Sequence, residues 1–234
     1  MTGRPPVEQG GYLGAHPFTA VIGRVPELGE LRQAVSCAQS SAGRLLLLVG
    51  EAGIGKTRLA QELAALPADF TVATGHCYEP YQGVAFYPFL DALAYLFARA
   101  PVDPRQALPE RWPYMQRLLP DVFPQPSVTA SDSRDELQRL LRSLGGFVRA
   151  CAERSPVVLL IDDPQWADRA SLDLLQHLVR HTRGQPVLTG GTVREPGLSS
   201  TSSLRRAMVD VQRECLLQRV RGFLRRSYRV IPGP

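Results

Sequence analysis

Residues 50–57 read Gly50-Glu51-Ala52-Gly53-Ile54-Gly55-Lys56-Thr57, and Lys56 is the one lysine in a chain of 234 residues whose other basic side chains are all arginine. A sequence that uses arginine everywhere else has kept lysine at the seventh position of G-x-x-x-x-G-K-[ST], a loop that cradles phosphates. The flanks agree with the motif. Residues 44–49, Arg-Leu-Leu-Leu-Leu-Val, form a short apolar run of the kind that makes a buried parallel strand. Residues 58–66 carry Leu59, Leu63 and Leu66 on one helical face. Strand, glycine loop and helix in that order constrain the fold more than any other feature.

The chemistry follows from the geometry that this order imposes. Glycines let backbone N–H groups converge on phosphate oxygens, and the helix that follows adds the positive end of its dipole. The backbone of Gly50, Glu51, Ala52, Gly53, Ile54 and Gly55 is therefore expected to bind nucleotide phosphates, with Lys56 as a compact charge for the β- and γ-phosphates. The Thr57 hydroxyl is a candidate Mg²⁺ ligand. About a hundred residues later a second apolar run, Val157-Val158-Leu159-Leu160-Ile161, ends in Asp162-Asp163. Asp162 is the expected partner of Thr57 on Mg²⁺, and Asp163 is placed to orient or deprotonate an attacking water. Asp-Asp-Pro is also good turn chemistry, so the pair could merely cap a strand.

The remaining pattern predicts an amphipathic helix through Leu28, Leu31, Val35 and Ala38, a strand over 70–74 and a helix through Phe89, Leu93 and Leu96. Prolines recur over 101–126, leaving room for a short helix near 111–119. Ser133-Arg134-Asp135-Glu136 is a capping box that opens a long helix, weakened midway by Gly145-Gly146. A helix through Leu172, Leu175, Leu178 and Val179 follows, with Asp168 as its expected N-cap, and then a strand from Pro186 toward Arg194. Alternating strands and helices imply an α/β fold: a three-layer P-loop NTPase sandwich with a mostly parallel sheet and helices on both faces. The P-loop, Asp162 and Arg194 then fall at the C-terminal strand ends, where such folds bind ligands.

Composition narrows the surroundings. There is no apolar run of membrane-spanning length and no signal-peptide core, and Cys37, Cys77, Cys151 and Cys215 are too scattered for a metal site, so a cytoplasmic protein is expected. His177 and His181, four apart, read as a helix face. Residues 1–17, rich in Gly and Pro, are expected to be disordered, residues 18–203 to form the ATPase domain and residues 204–234 to be an Arg-rich, incomplete continuation of it. That last segment, eight arginines against Asp210 and Glu214, alone accounts for the excess positive charge, but no module that reads base edges accompanies it, so specific DNA binding is not expected.

Several segments together resemble the ATPase module of STAND-class P-loop NTPases, as found in the large ATP-binding LuxR-type transcriptional regulators. Val21-Ile22-Gly23-Arg24-Val25-Pro26-Glu27-Leu28 is similar to the family's entry motif, which packs beside adenine, although Val25 replaces a glutamate. Asp162-Asp163-Pro164-Gln165-Trp166-Ala167-Asp168 is similar to Asp-Asp-hydrophobic-His-Trp-Ala-Asp, with Pro164 and Gln165 as departures. Gly75-His76-Cys77-Tyr78-Glu79 resembles the segment after the second strand. Gly191-Thr192-Val193-Arg194 resembles a sensor motif whose arginine reads the γ-phosphate. The resemblance implies Gly23 and Arg24 at the nucleotide, Arg194 as sensor, and ATP with Mg²⁺ as ligands of a slowly hydrolysing switch, with protein partners or self-association possible. Asp163 is one methylene shorter than the glutamate usual in efficient enzymes of this group, which is why hydrolysis is expected to be slow. Nothing after Arg226 resembles the family's later domains, so a truncated or frame-disrupted member, or a stand-alone relic, is expected. A P-loop kinase acting on a small molecule and an initiator-type AAA+ ATPase that binds nucleic acid are the alternatives.

Overall fold

The computed structural model describes residues 21, 23–66, 69–126, 134–195 and 202–220. The expected disordered N-terminus, the cap at Ser133 and the arginines beyond 220 lie outside these residues. Five strands, β1 (Arg44–Gly50), β2 (Thr71–His76), β3 (Val157–Asp162), β4 (Val187–Arg194) and β5 (Leu217–Val220), form one sheet in the order β2-β3-β4-β1-β5. All four pairings are parallel, so each return to the sheet needs a crossover, and helices supply it. These are α1 (Val25–Gln39), α2 (Lys56–Ala65), α3 (Tyr87–Arg99), α4 (Val102–Arg111), α5 (Arg134–Ala152), α6 (Arg169–His181) and α7 (Ser203–Arg213).

The alternation of strand side chains sorts the core into two layers. Leu45, Leu47 and Val49 of β1 and Val157, Leu159 and Ile161 of β3 face the layer built from α3 to α7. Leu46 and Leu48, with Val158 and Leu160, face α1 and α2. Both faces of the central strands are covered, which is why these strands read as unbroken apolar runs. Among the described residues no helix is long and apolar enough to cross a membrane.

The structure departs from the sequence expectation where prolines were read as breakers. The proline-rich stretch contains a full helix, α4, followed by a 3-10 turn at Pro113–Leu118, rather than one short helix near 111–119. Pro104 sits in the first turn of α4, where its missing N–H is harmless, whereas Pro109 lies inside the helix and gives up the bond that an N–H there would make to the Arg105 carbonyl. Helix α5 runs unbroken through Gly145-Gly146. A Cβ on Gly146 would come within 2.4 Å of the Trp112 indole nitrogen, so this glycine lets the 3-10 segment pack against α5. Helix α7 buries Leu204, Met208 and Val211 while Arg205, Arg206 and Arg213 face outward, and β5 pairs with β1. The described part of the Arg-rich segment is thus a solvated helix face and an edge strand on the common core.

Candidate functional site

The loop between β1 and α2 turns on two glycines with positive φ, Gly53 at 74° and Gly55 at 96°. A Cβ on either would meet nothing within 4 Å, so these positions are required by backbone conformation and open space, not by packing. Gly55 is the N-cap of α2, and Lys56 and Thr57 are its first residues. Lys56 is 7% exposed, and its Nζ donates to the carbonyls of Gly50 at 3.1 Å and Glu51 at 2.7 Å. Burial lowers the proton affinity of the ammonium; Asp163 opposes that shift, Arg194 adds to it and Asp162 opposes it. The register that sets Gly50 beside Arg194 and Asp162 beside Thr192 puts these three segments, distant in sequence, at one end of the sheet.

Arg24 braces the loop from outside. Its Nη1 pairs with the nearly buried Glu27 at 3.0 Å and its Nη2 donates to the Ile54 carbonyl at 3.1 Å. Gly23 before it has φ 74°. The entry motif thus contacts the phosphate loop itself.

The acidic side is assembled by strand register. Thr192 of β4 lies opposite Asp162 of β3, and Gly50 of β1 lies opposite Arg194. The Thr192 hydroxyl, 2% exposed, donates to Asp162 Oδ1 and accepts the Asp163 N–H at 3.3 Å. The other Asp162 oxygen is 3.7 Å from His76 Nδ1 at the end of β2. Asp163 adopts the left-handed region, φ 51° and ψ 47°, and opens the 3-10 turn Pro164–Trp166. Both its carboxylate oxygens have partners: Gln165 Nε2 donates to Oδ1 at 2.8 Å and Arg194 Nη2 to Oδ2 at 3.3 Å. Asp168 caps α6 as expected, accepting from the N–H groups of Ala170 and Ser171, and it also accepts the N–H of Phe86 at the start of α3. One carboxylate therefore ties two helix N-termini to the loop after β3.

A family model for the AAA ATPase domain matches residues 20–189. The chain belongs to that family. The resemblance to a STAND-class P-loop ATPase module drawn from the sequence agrees with this match, and family membership implies nucleotide binding, typically with Mg²⁺. Among curated proteins none matches the chain. Among solved structures, Drosophila ORC bound to AT-rich DNA and Cdc6 is similar over 82% of this chain and 54% of that one, at 10% identity and a TM-score of 0.41. A STAND protein with a tetratricopeptide repeat sensor from Pyrococcus horikoshii is similar over 76% of this chain and 21% of that one, at 14% identity and a TM-score of 0.37. The chain thus spans about half of the first and about a fifth of the second.

The AAA ATPase domain brings together Lys56, Thr57, Asp162, Asp163 and Arg194 at the C-terminal strand ends, with Arg24 against the loop. Thr57 and Asp162 offer a hydroxyl and a carboxylate, the hard oxygen donors that suit Mg²⁺, so the donor set fits that ion. Sequence reasoning missed Thr192, which was visible only as a strand residue beside a sensor arginine. It also treated Gln165 as a departure from a motif, and His76 as one member of a resembling segment. Their proximity to Asp162 and Asp163 depends on the register of β2, β3 and β4.

Proposed function

We propose that this AAA ATPase domain is a slow, nucleotide-driven switch of the STAND kind, similar in mechanism to the ATPase core of LuxR-type regulators. The observation that carries the reading is the ion pair between Arg194 and Asp163. The group suited to read a γ-phosphate and the group suited to activate water are each other's partner. A γ-phosphate attracts Arg194, which is half exposed and able to move, and so releases one Asp163 oxygen. Nucleotide identity and the arrangement of the loop after β3 are thereby coupled.

In this reading the loop backbone and Lys56 hold the phosphates, with Nζ exchanging its bonds to the Gly50 and Glu51 carbonyls for phosphate oxygens. Thr57 and Asp162 hold Mg²⁺, which when bound neutralises charge on the β- and γ-phosphates. Asp163 accepts a proton from the attacking water as its oxygen bonds to the γ-phosphorus and the bond to the bridging oxygen breaks. The short aspartate side chain places turnover well below the enzyme median of about 10 s⁻¹. Single-turnover hydrolysis by the parent and by Asp163→Asn, with ATP calorimetry on both, tests this. The asparagine variant is expected to lose on the order of a hundredfold in rate and to keep its ATP affinity. If it hydrolyses as fast as the parent, Asp163 is only a turn residue and the switch has no reset step.

A further inference from the structure

Two buried polar atoms beside the acidic pair have no partner among the described residues, Nε2 of His76 and Oε1 of Gln165. The glutamine is the more informative. An ionised carboxylate can only accept, so the 2.8 Å contact between Gln165 and Asp163 Oδ1 is donated by the amide NH₂. That assignment fixes the amide and leaves its carbonyl oxygen as an acceptor without a donor. A sealed acceptor beside a reactive carboxylate calls for a functional explanation, because native folds satisfy nearly all such atoms.

The backbone holds Gln165 in place. Pro164 is buried, and the 3-10 turn is closed by the N–H of Trp166 on the carbonyl of Asp163 at 3.0 Å. The side chain that follows Asp163 by two residues is thus folded back onto the Asp163 carboxylate. Arg194 holds the other carboxylate oxygen from β4, and Thr192 holds the Asp163 N–H.

We propose that Gln165 is a catalytic residue of this ATPase, its Oε1 accepting one O–H of the attacking water while Asp163 takes the proton of the other. The proposal rests on the slow-hydrolysis reading above. The step requires that Arg194, in turning to the γ-phosphate, both free Asp163 Oδ2 to accept and uncover Gln165 Oε1, which is buried while the ion pair is closed, with Gln165 still holding Oδ1. The water oxygen bonds to the γ-phosphorus, and the bond from that phosphorus to the bridging oxygen breaks with its electron pair leaving on ADP. One water proton passes to Asp163, and the other stays on the phosphate product as the O–H donated to Gln165. A water held at one point swings, whereas one held at two points has its lone pair aimed. The second point recovers part of the aiming that the short Asp163 side chain gives up, and turnover stays slow. A neutral imidazole also presents one donor and one acceptor, so histidine is a replacement that keeps this chemistry.

The test uses the whole chain with Gln165→Met and Gln165→His, read by single-turnover ATP hydrolysis, ATP calorimetry and thermal unfolding. Methionine keeps the length and removes both the donor and the stranded acceptor. It is expected to slow hydrolysis by roughly 10- to 100-fold, leave the ATP dissociation constant within about twofold and leave Tm unchanged or raised. Histidine is expected to restore the rate to within several-fold of the parent, because it restores a donor and an acceptor. A methionine variant as fast as a turning-over parent overturns the role of Gln165 and leaves the ATPase reading standing. Loss of Tm or of ATP affinity in the methionine variant, with no rescue by histidine, overturns it in favour of a structural clamp. A parent that binds ATP without any turnover overturns both readings.

Discussion

The two loops at the nucleotide end of the sheet are built by opposite means. The loop after β1 makes its sharp turns with Gly53 and Gly55, where positive φ comes at little steric cost and a Cβ would meet empty space. The loop after β3 makes a comparable turn with Asp163, a residue with a side chain, at φ 51°. Left-handed backbone disfavours a residue with a Cβ by about 1–2 kcal/mol, and here Thr192, Gln165 and Arg194 surround it with compensating bonds. The first loop is a backbone device encoded by consecutive residues. The second is a side-chain device contributed by β3, β4 and the turn between Pro164 and Trp166. A backbone cradle suits a ligand of fixed shape, and a side-chain network suits a part whose bonds must exchange.

The largest effect that bears on this contrast is expected at Lys56, the side chain of the first loop proposed to contact the phosphates. Lys56→Ala removes a charge-assisted interaction worth roughly 1.5–3 kcal/mol, or about one to two decades in ATP affinity. Calorimetry on the two forms measures it. Unchanged affinity would remove the phosphate role from the first loop and leave the comparison without its better-defined half.

The network of the second loop is probed next by Thr192→Val. Valine keeps the branched shape but loses the hydroxyl that bonds Asp162 and the Asp163 N–H within a buried site. The loss of a bond to a carboxylate together with a neutral bond is expected to cost about 2–3 kcal/mol in denaturant unfolding, with hydrolysis falling more than ATP affinity. A variant as stable as the parent would mean that the acidic loop holds its shape without β4.

The same division sets what could be read from the sequence. Eight consecutive positions, a strand before them and a helix after them specify the first loop locally, so its residues were legible from spacing alone. Strands β1 and β3 were legible because burial on both faces leaves nearly all their side chains apolar, and Asp168 was legible as a cap because capping is local. Thr192 was not, because a buried threonine in a strand carries no mark of function until register sets it opposite Asp162, thirty residues away. Gln165 was seen as a mismatch because its partner is defined by a turn, not by a period. Helix α4 was missed for the converse reason: Pro104 is harmless only because the helix starts two residues before it, and Pro109 costs a helix bond that the fully buried Leu108 helps to offset from the tertiary side.

The smallest expected effect gives the most direct comparison of the two loops, and it comes from exchanging their residue types. Gly55→Ala places a Cβ at φ 96°, where no clash with neighbouring atoms occurs but the backbone is strained, and it is expected to cost about 1–2 kcal/mol of stability. Asp163→Gly runs the other way. It relieves the left-handed strain but frees the unfolded chain and forfeits the carboxylate bonds to Gln165 and Arg194. Glycine adds roughly 0.5–1 kcal/mol of entropy cost on folding, the lost bond from Gln165 adds about 1 kcal/mol, and the pair with Arg194 is partly solvent-exposed, so its loss adds little. The terms nearly cancel, and the stability of Asp163→Gly is expected to stay within about 1 kcal/mol of the parent, while single-turnover hydrolysis falls as it does in Asp163→Asn. Denaturant titration of both variants beside the parent decides the matter. A large loss in Asp163→Gly would show that the carboxylate network holds the second loop in its turn. Near neutrality, set against a clear loss in Gly55→Ala, would show that aspartate stands at this strained position for its chemistry, at no gain to the fold.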